Sequence, residues 1–174
     1  SYLRMPELPE VETVVQGLRL NLEGKVLTNV KVRRRDLRYP IPEDFVERVS
    51  GRQVTLIARR AKYILITLDD STVIIMHLGM SGRIVISSGS SKPAIHDHLV
   101  FKTDSGAIVI FNDPRRFGMV TLAEQHTCLQ HAWLRKLGPE PLDENFTAST
   151  LSARLQGKRN SIKSSLLDQR VVAG

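Results

Sequence analysis

The sequence of 174 residues contains a single cysteine, Cys128. A lone thiol excludes an internal disulfide and any zinc site built from several cysteines of this sequence, and it suits a reducing compartment. Long apolar runs are absent as well. No stretch approaches the roughly 20 residues that a membrane-spanning helix needs, so neither a membrane span nor a membrane partner is expected. Residues Ser1–Glu10 hold no apolar core of the kind a secretory signal requires, and the expected location is the cytoplasm. There is no internal repeat. Acidic residues are in the minority: Asp and Glu total 18 against 25 Lys and Arg, giving a net charge of +7 and a pI near 9.9. A basic surface suits a polyanion, most simply nucleic acid, although many basic proteins bind none. Hydrophobic residues make up 41% and charged residues 25% of the chain, enough for a packed core and against global disorder.

The first periodic element begins at Pro9. Val11, Val14, Val15, Leu18 and Leu22 form the apolar stripe of an amphipathic helix that Gly24 ends. Proline suits the first turn, and Glu10 and Glu12 suit the positive end of the helix dipole. After Gly24 the period drops to two. Strands are expected at Val26–Arg33, Gln53–Arg60, Tyr63–Leu68, Val73–Met76, Arg83–Ile86, His98–Lys102, Ala107–Phe111 and Met119–Leu122, with a short helix over Glu43–Val49. Short strands separated by turns suggest an antiparallel sandwich or barrel. Residues 87–96 read as a surface loop. Cys128 and Trp133 fall in a helix-like stretch and read as packing residues. Two prolines and a glycine in Leu137–Leu142 mark a linker, beyond which helices are expected over Thr147–Gln156 and Ser161–Arg170.

The segment Met5-Pro6-Glu7-Leu8-Pro9-Glu10-Val11-Glu12-Thr13 holds the chemistry. Helix capping explains Pro9, Glu10 and Glu12 but not Pro6 and Glu7. If Met5 were the start and were removed, Pro6 would carry a free secondary amine able to attack an electrophilic carbon and form an iminium. Glu7 beside it could move protons.

This segment resembles the amino-terminal signature of the formamidopyrimidine-DNA glycosylase family of bacterial repair enzymes. Further motifs follow in that family's order. Arg59-Arg60-Ala61-Lys62-Tyr63 resembles its lysine-bearing strand, and Met76-His77-Leu78-Gly79-Met80-Ser81-Gly82 its methionine loop. Asn112-Asp113-Pro114-Arg115-Arg116-Phe117-Gly118 resembles its arginine–phenylalanine loop, and Leu137–Leu142 its interdomain hinge. Lys158 through Gly174 is similar to the start of its helix–two-turn–helix module. The resemblance implies an α+β fold: an antiparallel two-sheet β-sandwich with a flanking N-terminal helix, followed by the start of a helical domain. It implies a catalytic domain over 1–136, a hinge over 137–145 and an incomplete DNA-binding domain over 146–174.

The family's chemistry implies that Pro6 attacks C1′ of a damaged nucleotide, and that β,δ-elimination follows through the iminium. Glu7 would handle protons at the sugar, and Lys62 would contact a phosphate beside the lesion. Without the resemblance, Lys62 is an exposed strand-end lysine. Met80, Arg115 and Phe117 resemble residues that fill the gap left by a flipped nucleotide. The alternative is that Met80 and Phe117 are core residues, but their polar, turn-rich surroundings favour exposed loops. His77 is either a phosphate contact or structural. Lys163 joins the DNA-binding set, while the run Lys31–Arg38 reads as a solvated basic face rather than a site. The implied partner is duplex DNA carrying oxidised bases, acted on by a monomer. An endonuclease VIII-like pyrimidine glycosylase and a noncatalytic damaged-DNA-binding module are the other readings. The family's zinc is held by a four-cysteine finger that these residues do not contain, so no metal or other cofactor is expected here. With Ser1–Arg4 attached, the Pro6 nitrogen is an amide, and the polypeptide as written is expected to be inactive.

Overall fold

The computed structural model describes residues 6–89 and 92–137. Helix α1, Leu8–Leu22, buries Val11, Val15, Leu18 and Leu22 along one face. It starts earlier than Pro9, because Glu7 is its N-cap. The Glu10 carboxylate accepts from the Glu7 backbone N–H, closing a capping box. Glu7 therefore has a structural role that the apolar stripe alone does not reveal.

Eight strands follow: β1 (Leu27–Val32), β2 (Val54–Arg60), β3 (Tyr63–Leu68), β4 (Thr72–His77), β5 (Arg83–Ser88), β6 (Asp97–Thr103), β7 (Ala107–Asn112) and β8 (Met119–Glu124). Helix α2, Phe45–Val49, lies between β1 and β2. The strands form two four-stranded sheets, ordered β1-β6-β7-β5 and β2-β3-β4-β8, with every neighbouring pair antiparallel. All eight expected strands are present within a residue or two. Ser87 and Ser88, expected in the surface loop, instead extend β5, paired with Ile108 and Ala107. Polar residues on an otherwise regular strand hide its end.

The main core lies between the sheets and under α1 and α2. Leu18, Leu22, Phe45, Ile57, Ile64, Ile66, Ile74, Phe101 and Phe111 meet there. Strands β2, β3 and β4 are apolar on both faces, so they lack the clean alternation of a half-exposed sheet. Their second face, with Leu56, Ala58, Leu65, Val73 and Ile75, packs against Cys128 and Leu134, with Trp133 partly buried alongside. The stretch around Cys128 is a 3-10 helix, Gln125–Gln130, continued by turns rather than by α-helix. Cys128 and Trp133 are packing residues, as their sequence context suggests.

The order of strands dictates three crossings, the first from β1 to β2 through α2. The chain leaves one sheet after β4 and enters the other at β5, then returns between β7 and β8. Because His77 pairs with Met119 and Arg83 with Asn112, the connecting segments 78–82 and 113–118 leave and enter neighbouring strands at the same end of the sandwich. The expected hinge after Leu137, the helices at Thr147–Gln156 and Ser161–Arg170, the domain over 146–174 and Lys163 lie outside the described residues.

Candidate functional site

Asp113 organises the second and third crossing loops. It is fully buried, and a buried carboxylate must spend its lone pairs on donors. Its Oδ2 accepts from the Gly118 N–H at 2.7 Å, and its Oδ1 accepts from the Ser81 hydroxyl at 2.6 Å. The Ser81 oxygen in turn accepts from the Arg115 N–H at 2.9 Å. Buried His98 donates from Nε2 to the Asp113 carbonyl at 2.6 Å. One carboxylate thus latches the methionine loop to the arginine–phenylalanine loop. Gly79 completes the fit: it sits at φ +65°, and a Cβ there would fall 2.6 Å from the Phe117 carbonyl carbon and oxygen. Outside the latch, Arg116, itself at φ +58°, pairs with Asp36 at 2.7 Å.

The latch brings Met80, Arg115 and Phe117 to one end of the sandwich. Phe117 is 44% exposed despite being apolar, and the Arg115 guanidinium carbon lies 5.0 Å from its ring centroid. Met80 departs from the expectation that both apolar loop residues stand largely in solvent: it is half-buried. Gly79 lets its loop lie directly on the backbone of residues 117 and 118.

The second group is built on the β2–β3 hairpin. Only Ala61 and Lys62 connect the strands, and Ala61 takes a left-handed φ of +51°. Tyr63 pairs in register with His77, and their rings meet edge-on at 4.8 Å. The His77 Nδ1 accepts from the Gly79 N–H at 3.0 Å, which leaves Nε2 as the protonated nitrogen of a neutral ring. Burial, then the positive charges of Lys62 and Arg38, push the His77 pKa down to about 4. At neutral pH His77 is an uncharged N–H donor set among cations. Arg38, read from sequence as part of a solvated run, therefore belongs electrostatically with Lys62 and His77.

The third group is the start of α1. Pro6 is half-buried and Glu7 exposed. Glu12, farther along the helix, pairs with buried Arg59 at 2.7 Å, and Arg59 also donates to the Ala61 carbonyl at 3.0 Å. Farther still, Arg19 donates through Nε and Nη2 to the Ile57 carbonyl at 2.9 and 2.8 Å. These contacts dock the helix carrying Pro6 on the strand that leads to Lys62.

Asp113, Ser81, Arg38 and Arg59 were not singled out by sequence reasoning. A charged residue inside an apolar strand, as at Arg59, is the one available signal, since it demands a partner. No three His, Cys, Asp or Glu side chains among the described residues group closely enough to hold a metal. The buried Cys128 thiol, its pKa pushed up to about 12 by burial, is no ligand or nucleophile. The described residues therefore do not fit a zinc site. No helix among the described residues is long and apolar enough to cross a membrane.

Residues 5–120 match the model of the formamidopyrimidine-DNA glycosylase N-terminal domain. The formamidopyrimidine-DNA glycosylase of Rhodospirillum rubrum is 52% identical over 172 residues, covering 98% of this chain and 61% of the relative. That of Azorhizobium caulinodans is 48% identical over 182 residues, covering 98% and 62%. Among solved structures, the Lactococcus lactis enzyme bound non-covalently to DNA containing an abasic site superposes with a TM-score of 0.74 at 30% identity, covering 97% of this chain and 65% of that one. The chain spans about three-fifths of the length of the curated relatives it matches. With its two antiparallel sheets, its N-terminal helix and a family match over most of its length, this chain belongs to the formamidopyrimidine-DNA glycosylase family.

Proposed function

We propose that this chain supplies the catalytic sandwich of a base-excision repair enzyme. It removes oxidised purines, 8-oxoguanine and formamidopyrimidines, from duplex DNA and cleaves the strand at the resulting abasic site. It does so as a monomer in the bacterial cytoplasm. The domain runs over 1–136, joined through a hinge at 137–145 to a helical DNA-binding domain beginning at 146, where Lys163 adds a DNA contact. With one cysteine, these residues cannot form the family's four-cysteine zinc finger, and no step in the sandwich depends on it.

In a chain that begins at Pro6, the imino nitrogen holds a lone pair once deprotonated. It attacks C1′ of the flipped nucleotide, the base leaves with the glycosidic electron pair, and the sugar opens as an iminium. Glu7 moves the protons that ring opening and elimination require. The iminium acidifies C2′–H, so the 3′-phosphate leaves by β-elimination and the 5′-phosphate by δ-elimination. Lys62 neutralises phosphate next to the lesion, and the His77 Nε2–H adds an uncharged donor. Phe117 wedges the opened step, Met80 fills the vacated stack and Arg115 hydrogen-bonds the orphaned base.

The observation that carries this reading is the Asp113 latch. It holds Met80, Arg115 and Phe117 on adjacent loops, one of which is bonded through Gly79 to His77. Of the three side chains at this end of the sandwich, Phe117 is 44% exposed despite being apolar, which suits a wedge. The test is borohydride trapping of the full-length protein on a duplex with one 8-oxoguanine. A chain starting at Pro6 forms a stable covalent adduct. The same chain with unprocessed Ser1–Arg4 forms none, because its Pro6 nitrogen is an amide. Equal trapping by both would overturn the proposal.

A further inference from the structure

Arg59 is 2% exposed, near the end of β2. A guanidinium withdrawn from water is costly unless it is paired and hydrogen-bonded, so its partners indicate its purpose. Its Nη2 meets the Glu12 Oε1 at 2.7 Å, and its Nη1 donates to the Ala61 carbonyl at 3.0 Å. Glu12 lies on α1, the helix that carries Pro6 and Glu7 at its start. Ala61 is the first residue of the turn that presents Lys62, and its φ of +51° is uncommon for a residue with a side chain.

Helix α1 is therefore held on β2 at two places. Toward its C-terminal end, Arg19 donates to the Ile57 carbonyl while Glu23 accepts from the Ile57 N–H at 3.1 Å. That clamp lies far along the helix from Pro6. Nearer the start, the Glu12–Arg59–Ala61 clamp joins the helix to the Lys62 turn. A planar fork with several donors in fixed directions can serve both partners at once, whereas a lysine ammonium is a compact point charge whose donors rotate on a flexible stem.

We infer that Arg59 is a positioning residue for the reaction proposed above, fixing the Pro6 end of α1 relative to Lys62 by bridging Glu12 and the Ala61 carbonyl. It touches neither DNA nor the reacting atoms. Its effect belongs in the chemical step, because misplacing the nitrogen by a fraction of an ångström slows attack without removing a DNA contact.

The test uses the full-length protein with Pro6 as its first residue, and the variants Glu12→Ala, Glu12→Gln, Arg59→Lys and Glu23→Ala. Three quantities are measured: the single-turnover trapping rate at saturating abasic-site duplex, the Kd for a duplex holding a tetrahydrofuran abasic analogue, and Tm. Glu12→Ala and Arg59→Lys slow trapping by roughly ten- to a hundredfold while Kd stays within about threefold. Glu12→Gln, which keeps an acceptor for Arg59, retains most of the rate. Glu23→Ala lowers Tm but traps at the parent rate. Arg59→Lys disturbs a buried site; if it fails to fold, Glu12→Ala, on a partly exposed side chain, decides the matter. Glu12→Ala at the parent rate overturns the clamp and leaves the proposed reaction intact. So does a rate loss in Glu23→Ala equal to that in Glu12→Ala. A parent protein that does not trap at all overturns both.

Discussion

His77 shows how a neutral side chain is made from an ionisable one. Its Nδ1 is committed to the Gly79 N–H, its ring lies against Tyr63, and Lys62 and Arg38 oppose a further positive charge. The folded pKa of about 4 lies below the ordinary value of 6.5. The unfolded chain therefore takes up a proton that the folded chain refuses. His77 costs nothing in stability above pH 6.5, and it destabilises the fold progressively as pH falls from 6.5 toward 4. The loss is on the order of 2–3 kcal/mol. In denaturant melts at pH 7 and pH 4.5, His77→Gln should reduce the stability difference between the two pH values. An unchanged difference would mean that His77 is not held neutral. The motif alone suggests a phosphate contact at His77 but carries no sign of its charge state, which depends first on burial and then on two cations distant in sequence.

The elements were the most legible part of the sequence. Apolar, β-branched runs bounded by Asp69–Ser71 and Asp104–Gly106 gave strands within a residue or two, because turn chemistry and strand propensity act locally. The N-cap role of Glu7 was less legible, since glutamate is not a favoured cap and the reciprocal bond from Glu10 must close it. The Asp113 latch was not legible at all. It joins Ser81 to residues more than thirty positions away, and such bonds leave no periodic trace. Pairing of β4 with β8 and of β5 with β7 sets these loops side by side, and Gly79 allows them to touch. Gly79→Ala should therefore cost about 1–3 kcal/mol through positive φ and overpacking. It should also weaken binding to an abasic-analogue duplex, because Phe117 and Met80 lose their common support. Thermal melts and fluorescence anisotropy measure the two effects. Full stability with full binding would remove the latch's role in presenting these side chains.

At the scale of the whole molecule, the net charge of +7 is a property of composition, whereas its use depends on where the sandwich gathers cations. Lys62, Arg38 and Arg115 lie on turns and loops, not in the sheets. Phosphate contacts make binding salt-dependent through counterion release. Lys62→Ala should weaken binding almost equally on damaged and undamaged duplex and lower the slope of log K against log salt by about 1. Phe117→Ala should leave the slope unchanged and lose mainly the preference for the lesion. Equal slopes for Lys62→Ala and parent would show that Lys62 faces no phosphate.

The central claim is that the Pro6 nitrogen forms the covalent bond to DNA, with Lys62 acting only through charge. Peptide mapping by mass spectrometry of the borohydride-trapped adduct tests it most directly, using the full-length protein with Pro6 as its first residue. The predicted result is a single modified peptide carrying the reduced sugar adduct on the Pro6 nitrogen, formed also, though more slowly, by Lys62→Ala. An adduct on Lys62 or any other lysine, with Pro6 unmodified, would contradict it.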